Sequence, residues 1–136
     1  MAIIEGKSSY IRTSARKLRL VVPLAKGFPP EKALTALDQS TKRAALPLIK
    51  TIKQVVANAV NNFKLEEGNL IIKNILIEEG PTYKRWRAGA RGRAKPILKR
   101  TSHIRVILET KESKKEEKEV KKEKTKEGDK KNGSKS

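Results

Sequence analysis

The spacing of apolar residues along the chain predicts a long central helix and a short one before it. Between residues 42 and 63 apolar side chains recur at intervals of three and four, which is typical of a helix packed on a core. Pro47 lacks a backbone donor, so a kink is expected in the first turns of this helix. Residues 30–37 are predicted to form the short helix, because proline is favourable in a first helical turn.

A third helix is predicted near the N-terminus, from about residue 14 to residue 26. Thr13 and Ser14 offer side-chain oxygens that can cap its start, and Gly27 is a typical residue just past a helix end. Pro23 lies late in this segment and is expected to bend or shorten the helix. Apolar residues fall on one face of this helix, and basic residues fall on another.

Strands are predicted from apolar runs at residues 70–78 and 103–109. Residues 2–11, which have apolar positions around a polar interruption, are predicted to form a third, edge strand or an extended arm. The run at residues 70–78 is apolar on both faces, whereas the run at residues 103–109 places Ile104, Val106 and Leu108 on one face. The expected fold class is α+β, with three helices packed on a small three-stranded antiparallel sheet. A long extended β-hairpin is expected between the strands at residues 70–78 and 103–109.

The segment that joins these two strands, residues 80–103, is the most unusual part of the sequence. It contains eight Lys and Arg residues, no acidic residue and almost no side chain suited to a core. If it folds back on itself, each limb has about ten residues and the tip stands roughly 30 Å from the sheet. Composition alone leaves two interpretations equally open, a specific RNA-binding finger or a flexible basic loop that binds any polyanion.

Charge and composition narrow the possible partners. The 136-residue chain carries a formal net charge of +18, which favours nucleic acid or an anionic membrane surface as a partner. No apolar run approaches the ~20 residues of a membrane-spanning helix. The N-terminus lacks the layout of a signal peptide, so a cytosolic protein is expected. The absence of Cys excludes disulfides, a thiol nucleophile and zinc-thiolate sites.

The charge is concentrated in the first 110 residues. Residues 111–136 contain 11 Lys and 7 acids, which leaves +14 of the net charge on residues 1–110. This C-terminal segment is almost free of apolar residues and is predicted to be a disordered Lys/Glu-rich tail. Residues 1–110 are predicted to form one RNA-binding domain, with the hairpin at about residues 80–100.

Several side chains have the chemistry of RNA contacts. Arg12, Arg16 and Arg19 share one face of the first predicted helix, with Lys17 at its margin, although such a stripe can also be a solvated face. In the basic segment, arginine side chains suit phosphates, and aromatic rings offer faces for base stacking.

Catalysis has little support in the sequence. An enzyme such as a nuclease would need His103 as a base and a carboxylate cluster, for which Glu78 and Glu79 are the nearest candidates. The chain has one His, and no phosphate-binding loop or activated nucleophile is recognisable. We therefore expect no enzymatic activity, no cofactor and no metal site.

Five segments together are distinctive: Gly80-Pro81, Lys84-Arg85, ARGRA at residues 90–94, ILKRTSHI at residues 97–104, and SARKLRLV at residues 14–21. They resemble the signature of the large-subunit ribosomal protein family L-twenty-two (universal uL-twenty-two), bacterial type. The order of elements agrees with that family from about residue 8 to residue 109. The C-terminal tail is not part of the common family core.

The resemblance implies a structural constituent of the large ribosomal subunit that binds large-subunit rRNA and supports assembly. Its globular domain would lie near the mouth of the peptide exit tunnel, beside neighbouring ribosomal proteins. The hairpin tip would line the tunnel and meet the nascent peptide transiently. No membrane and no small-molecule substrate are expected. The alternative is a free basic RNA-binding chaperone or regulator.

The predicted sites combine this resemblance with residue chemistry. The predicted RNA-binding residues are Arg12, Arg16, Lys17, Arg19, Lys84, Arg85, Arg87, Arg91, Arg93, Lys95, Lys99, Arg100 and His103. The predicted tunnel-tip residues are Tyr83, Lys84, Arg85, Trp86, Arg87, Gly89 and Arg91. By the resemblance, the first three of these match a triplet that the family associates with the tunnel constriction and macrolide sensitivity. Gly89 departs from the family, which usually has Arg or His there, and Arg87 is the candidate to supply that charge.

Overall fold

A computed structural model of the protein describes residues 3–110, so the predicted C-terminal tail lies outside the described residues. Within that range the chain forms three α-helices and five strands. In chain order these are β1 (Ile3–Ile11), α1 (Ala15–Arg19), α2 (Pro30–Asp38), α3 (Ala45–Phe63), β2 (Leu70–Glu79), β3 (Tyr83–Ala88), β4 (Ala94–Lys99) and β5 (Ser102–Thr110). Short 3₁₀ turns lie at Val22–Leu24 and Glu67–Asn69, and a tight turn with non-helical backbone angles lies at Ala90–Gly92. The predicted α+β class with three helices is confirmed.

The main sheet has the strand order β1-β5-β2, and both of its strand pairs are antiparallel. The last strand of the domain is therefore the central one, and it pairs with the first strand on one side. The side chains of Ile104, Val106 and Leu108 are fully buried, as the alternation along β5 predicts. The predicted three-stranded antiparallel sheet is confirmed, while β3 and β4 form a separate two-stranded sheet.

An irregularity in the pairing of β2 explains why the sequence of this strand is apolar on both faces. The register against β5 shifts between Ile72 and Asn74, which marks a bulge. Leu70 and Ile72 are buried before the bulge, and Ile75 is buried after it. Because side chains alternate between faces, one extra residue moves the buried positions from even to odd numbers. The strand looks apolar on both faces because the same core-facing side is occupied by even-numbered residues before the bulge and by odd-numbered residues after it.

Helix α3 forms the centre of the core, as its periodicity predicts. Leu48, Ile52 and Val55 are fully buried between the sheet and α2. The predicted start was wrong, because α3 begins at Ala45 rather than near residue 42. Pro47 therefore lies in the first turn, where backbone N–H groups have no partner within the helix and no hydrogen bond is lost.

The first helix is much shorter than predicted. Helix α1 ends at Arg19 and a 3₁₀ turn follows at Val22–Leu24, instead of one helix to residue 26. Pro23 is the physical reason, because its ring would clash with the carbonyl of Arg19 in a continuous helix and it has no N–H to donate. Val21 and Ala25 are nevertheless fully buried, so the turn still delivers the apolar residues of the predicted helix to the core.

Gly6 allows β1 to pack closely against α3. An added Cβ at this position would overlap the side chain of Val55. We predict that Gly6→Ala lowers the free energy of unfolding by about 1–3 kcal/mol, because a well-packed core must shift to accept the extra atom. Urea unfolding of the full chain measures this effect. Gly68→Ala is the matched control, since an added Cβ there has no atom within 4 Å; equal losses in the two variants would contradict the prediction.

Candidate nucleic-acid interface

The basic segment folds into a hairpin in which β3 and β4 pair over six residues, from Tyr83 opposite Lys99 to Ala88 opposite Ala94. All twelve strand residues are exposed to solvent. No residue of the described range 3–110 places a carboxylate within 4.0 Å of a charged atom on any of the eight cations in this segment. The hairpin charges are therefore left unneutralised by the domain.

The strand register gives the hairpin two different faces. Residues directly opposite each other share a face, and successive residues alternate. One face carries four cations and is here called the cationic face: Arg85, Arg87, Lys95 and Lys99, with Tyr83 and Ile97. The other is here called the apolar face: Trp86, Ala88, Ala94, Pro96 and Leu98, with Lys84.

The cationic face is unfavourable for the isolated protein. Arg87 lies directly opposite Lys95, and like charges in opposed positions destabilise a strand pair. A cation–π contact on the same face offsets part of this repulsion, because the Arg85 guanidinium lies 6.0 Å from the centre of the Tyr83 ring. A polyanion alongside this face would relieve the repulsion, which is what phosphates of a nucleic acid provide.

The hairpin tip turns tightly around two glycines. The Gly89 N–H donates to the Arg93 carbonyl at 2.8 Å, and Arg91 and Gly92 adopt left-handed backbone conformations. A Cβ on Gly89 would lie 2.8 Å from that same carbonyl oxygen, so a larger residue requires the backbone to move. In this structure the tip therefore closes directly over Gly89, at the position where the resemblance leads us to expect Arg or His.

The hairpin base is fixed by buried hydroxyl groups. The Thr101 hydroxyl donates to the Pro81 carbonyl at 2.6 Å, and the Ser102 hydroxyl donates to the Thr13 carbonyl at 2.8 Å. Both side chains are almost fully buried. Gly80 is required beside them, because an added Cβ would lie 2.6 Å from the Thr101 hydroxyl oxygen. These contacts set the direction in which the hairpin leaves the domain.

His103 has a structural role at this junction. Its Nδ1 accepts a hydrogen bond from the Tyr10 N–H at 3.0 Å, and the two rings pack edge to face at 4.9 Å between centroids. The bond helps to hold Tyr10 in a left-handed conformation, which is uncommon for a residue other than glycine. An RNA contact by His103 stays a prediction.

The carboxylates near His103 pair with arginines. Glu78 forms an ion pair with Arg105 at 3.3 Å, and Glu79 lies 3.8 Å from Arg19. Within residues 3–110 no cluster of three or more His, Asp or Glu side chains could hold a metal ion. None of the helices in the described range is long and apolar enough to cross a membrane.

The predicted basic stripe on α1 divides into two parts. Arg19 is held by the domain, since its guanidinium donates to the Ile77 carbonyl at 3.2 Å in addition to its ion pair with Glu79. Helix α1 has no acidic residue to pair with Arg19, and Glu79 of β2 supplies that carboxylate instead. Arg12 and Lys17 instead line a groove at the hairpin base, and Arg16 is exposed to solvent.

This groove, here called the basal groove, has a volume of about 710 Å³ and lies between the start of α1, the start of α3 and the end of β4. Five cations line it: Arg12, Lys17, Arg43, Lys99 and Arg100. Its lining contains no acidic residue. The groove therefore brings together residues from three parts of the sequence into one positively charged concavity.

Arg43 is the lining cation that the sequence predictions omitted. A signal was present, because Lys42 and Arg43 directly precede α3 and the first turn of that helix contains no acidic residue. The positive end of a helix dipole disfavours cations and favours acids. Basic residues in that place are a cost to the free protein that a bound anion would offset.

Comparison with known proteins gives a consistent answer. The family described as "Ribosomal protein L22p/L17e" matches residues 6–109. The large ribosomal subunit protein uL22 of Pediococcus pentosaceus is 47% identical over 109 residues, which cover 79% of this chain and 92% of that protein. The protein of the same name from Syntrophus aciditrophicus is 46% identical over 107 residues, which cover 79% of this chain and 97% of that protein. That from Mesoplasma florum is 45% identical over 100 residues, with coverage of 74% and 89%.

Proposed function

Because this chain belongs to the ribosomal protein L22p/L17e family, we propose that it binds large-subunit rRNA, supports subunit assembly and lines the peptide exit tunnel with its hairpin tip. Membership of the family makes the chain a structural protein of the large ribosomal subunit and not an enzyme. The proposal concerns the RNA contacts, the neighbouring ribosomal proteins near the tunnel exit and the tunnel itself.

The observation that carries the proposal is the exposed hairpin with eight cations that no acid of residues 3–110 neutralises. Its cationic face presents guanidinium and ammonium groups at strand spacing, and guanidinium groups bind phosphates bidentately. Its apolar face presents Trp86, whose side chain is 67% exposed and can stack on an unpaired base. Both faces therefore suit contacts with RNA, the cationic face with phosphates and the apolar face with unpaired bases.

The RNA-binding residues of this proposal are the predicted ones, with two distinctions. The hairpin cations bind directly, and Arg12, Arg16 and Lys17 extend the basic surface onto the domain. Arg19 and His103 stay among the proposed RNA contacts, and they also hold α1 and the hairpin base through hydrogen bonds within the protein.

The residues predicted for the tip are spread along the hairpin, because Tyr83 lies opposite Lys99 at the hairpin base, whereas Gly89 and Arg91 lie at the turn. Gly89 and Arg91, with the end of β3, would form the part of the tunnel wall that the nascent peptide passes.

The proposed function is tested by replacing residues 83–99 with the turn Asn-Gly. The full chain should co-sediment with large ribosomal subunits after a high-salt wash, and the variant should be lost from that fraction. Circular dichroism checks that the variant keeps its fold. Retention of the variant would refute binding led by the hairpin, and loss of the full chain would favour a free RNA-binding chaperone or regulator.

The tunnel position needs a separate experiment. The sequence contains no Cys, so Arg91→Cys places a single photoreactive crosslinker at the tip. In stalled translating ribosomes this crosslinker should capture the nascent peptide, while one attached at Phe63→Cys on the domain surface should not. Capture at neither position, in ribosomes that contain the labelled protein, would contradict the tunnel proposal.

The domain boundary at residue 110 belongs to the same proposal, because the family match ends at residue 109. We predict that deletion of residues 111–136 leaves sedimentation with the large subunit unchanged. The deleted segment carries only +4 of the net charge of +18, so the cations proposed to bind rRNA remain. Quantitative immunoblotting of washed subunits measures the result, with the hairpin replacement as the negative control. A loss above about half of the bound protein would show that the tail takes part in binding.

A further inference from the structure

The basal groove is a second candidate site, which lies at the hairpin base and shares Leu98 and Lys99 with the two hairpin faces. Five cations converge on it from separate segments of the chain, and the lining contains no acid. Within residues 3–110 none of the five has an ion-pair partner. Cations brought together without counter-charges repel one another, so the groove is suited to an anionic occupant.

The groove also contains exposed apolar side chains. Leu46 on α3 is 57% exposed, and Leu98 on β4 is 45% exposed. Both line the groove together with Pro47. Phosphate groups bind to cations without apolar contacts. An unstacked base, by contrast, is stabilised by packing on an apolar side chain. The combination of cations and apolar surface therefore indicates a nucleotide rather than an isolated phosphate.

The size and shape of the groove limit the form of the nucleic acid. A volume of about 710 Å³ is typical of sites that enclose a small ligand, which span about 300–1,000 Å³. A groove of this size has room for about one or two unstacked nucleotides. Sequence-specific RNA recognition commonly uses unpaired bases that stack on arginine planes, and Arg12, Arg43 and Arg100 supply such planes here.

We propose that the basal groove binds a single-stranded turn of RNA, with its phosphates on the five cations and one unstacked base against Leu46 and Leu98. This inference rests on the proposed function and names the form of RNA that this site takes. Leu98 also belongs to the apolar face of the hairpin, so the groove continues that face onto the domain. An acidic segment of a neighbouring ribosomal protein is the competing occupant, and the experiment below separates the two.

Directed hydroxyl-radical cleavage tests the occupant in the assembled subunit. Because the sequence has no Cys, Leu46→Cys in the full chain carries a single iron chelate into reconstituted large subunits. We expect strong cleavage of rRNA at one short unpaired segment. Phe63→Cys is the matched control, since it is an exposed apolar residue about 25 Å along the same helix at ~1.5 Å per residue, and it should not cleave that segment.

Two results from this experiment would overturn the inference. Cleavage only in base-paired rRNA would exclude a single-stranded occupant. Absence of rRNA cleavage, accompanied by cleavage of a neighbouring protein, would assign the groove to an acidic peptide. Both results are distinct from failure of the proposed function, in which the labelled protein would not enter the subunit.

A binding measurement provides a second readout outside the ribosome. We expect Arg43→Gln in the full chain to weaken binding of a 12-nucleotide oligouridylate by about tenfold, as loss of a charged hydrogen bond predicts. Binding of a 12-base-pair RNA duplex should change less than about twofold. Lys32→Gln removes an exposed cation outside the groove and should leave both affinities within about twofold. Equal losses for the two probes would overturn the inference.

Discussion

Raising the salt concentration from 50 to 200 mM should weaken the binding of the full chain to large-subunit rRNA by about 10³-fold or more. The physical reason is counterion release, since each cation that neutralises a phosphate displaces a condensed ion from the RNA. The hairpin alone carries eight cations that no acid of the described residues neutralises. Contacts to about 6–10 phosphates produce a loss of this size. Filter binding or fluorescence titration at four salt concentrations measures the slope.

The cationic face of the hairpin should account for part of that slope. Replacing the opposed pair by Arg87→Gln and Lys95→Gln should make the slope of log affinity against log salt shallower by about one and a half. The matched control removes two exposed domain cations, by Lys26→Gln and Lys32→Gln, and should leave the slope nearly unchanged. A flat salt response of the full chain would refute binding led by phosphates.

Truncation of the central core residue Ile52 to alanine should lower the free energy of unfolding by about 2–5 kcal/mol. The side chain of Ile52 is fully buried in α3 between the sheet and α2. Its removal forfeits transfer free energy and leaves a cavity that a close-packed core only partly fills. Urea unfolding followed by circular dichroism measures the loss. Lys53→Ala, at the next and exposed position of the helix, should change stability by less than about 0.5 kcal/mol.

This core variant also separates stability from RNA binding. At temperatures where Ile52→Ala remains folded, its salt slope should equal that of the unchanged chain, because the hairpin cations are untouched. The hairpin variant should show the opposite behaviour, with an altered slope and no loss of unfolding free energy, because the charges that it removes repel each other. A changed slope in Ile52→Ala would show that the hairpin geometry depends on core packing beyond the contacts at its base.

Much of the fold can be predicted from the sequence, because helix and strand periodicity are local properties. The spacing of three and four in α3 and the alternation in β5 follow from backbone geometry, and both were predicted correctly. The short first helix was missed although Pro23 was recognised as a disruptive residue. A proline in the sequence indicates where a helix ends. The structure that follows the helix depends on the tertiary contacts that bury Val21 and Ala25.

The candidate site was predictable in its chemistry but not in its arrangement. The acid-free run of cations and its family motifs are properties of the sequence, and they predict the hairpin and the RNA proposed to bind it. The groove with Arg43 could not be derived, because its lining comes from three segments, residues 11–17, 43–47 and 98–100, which are separated by 25 and 50 residues. The basic stripe on α1 likewise could not reveal that Arg19 pairs with Glu79 of β2.

The sequence by itself determined the helices with clear periodicity, the position of the basic segment and the family to which the chain belongs. Only the tertiary structure decided that β5 is the central strand, that β2 changes its buried face at a bulge and that the hairpin has a cationic and an apolar face. The physical reason is range: periodicity and charge are carried by neighbouring residues, whereas strand order, register and ion pairs depend on contacts between residues far apart in the chain.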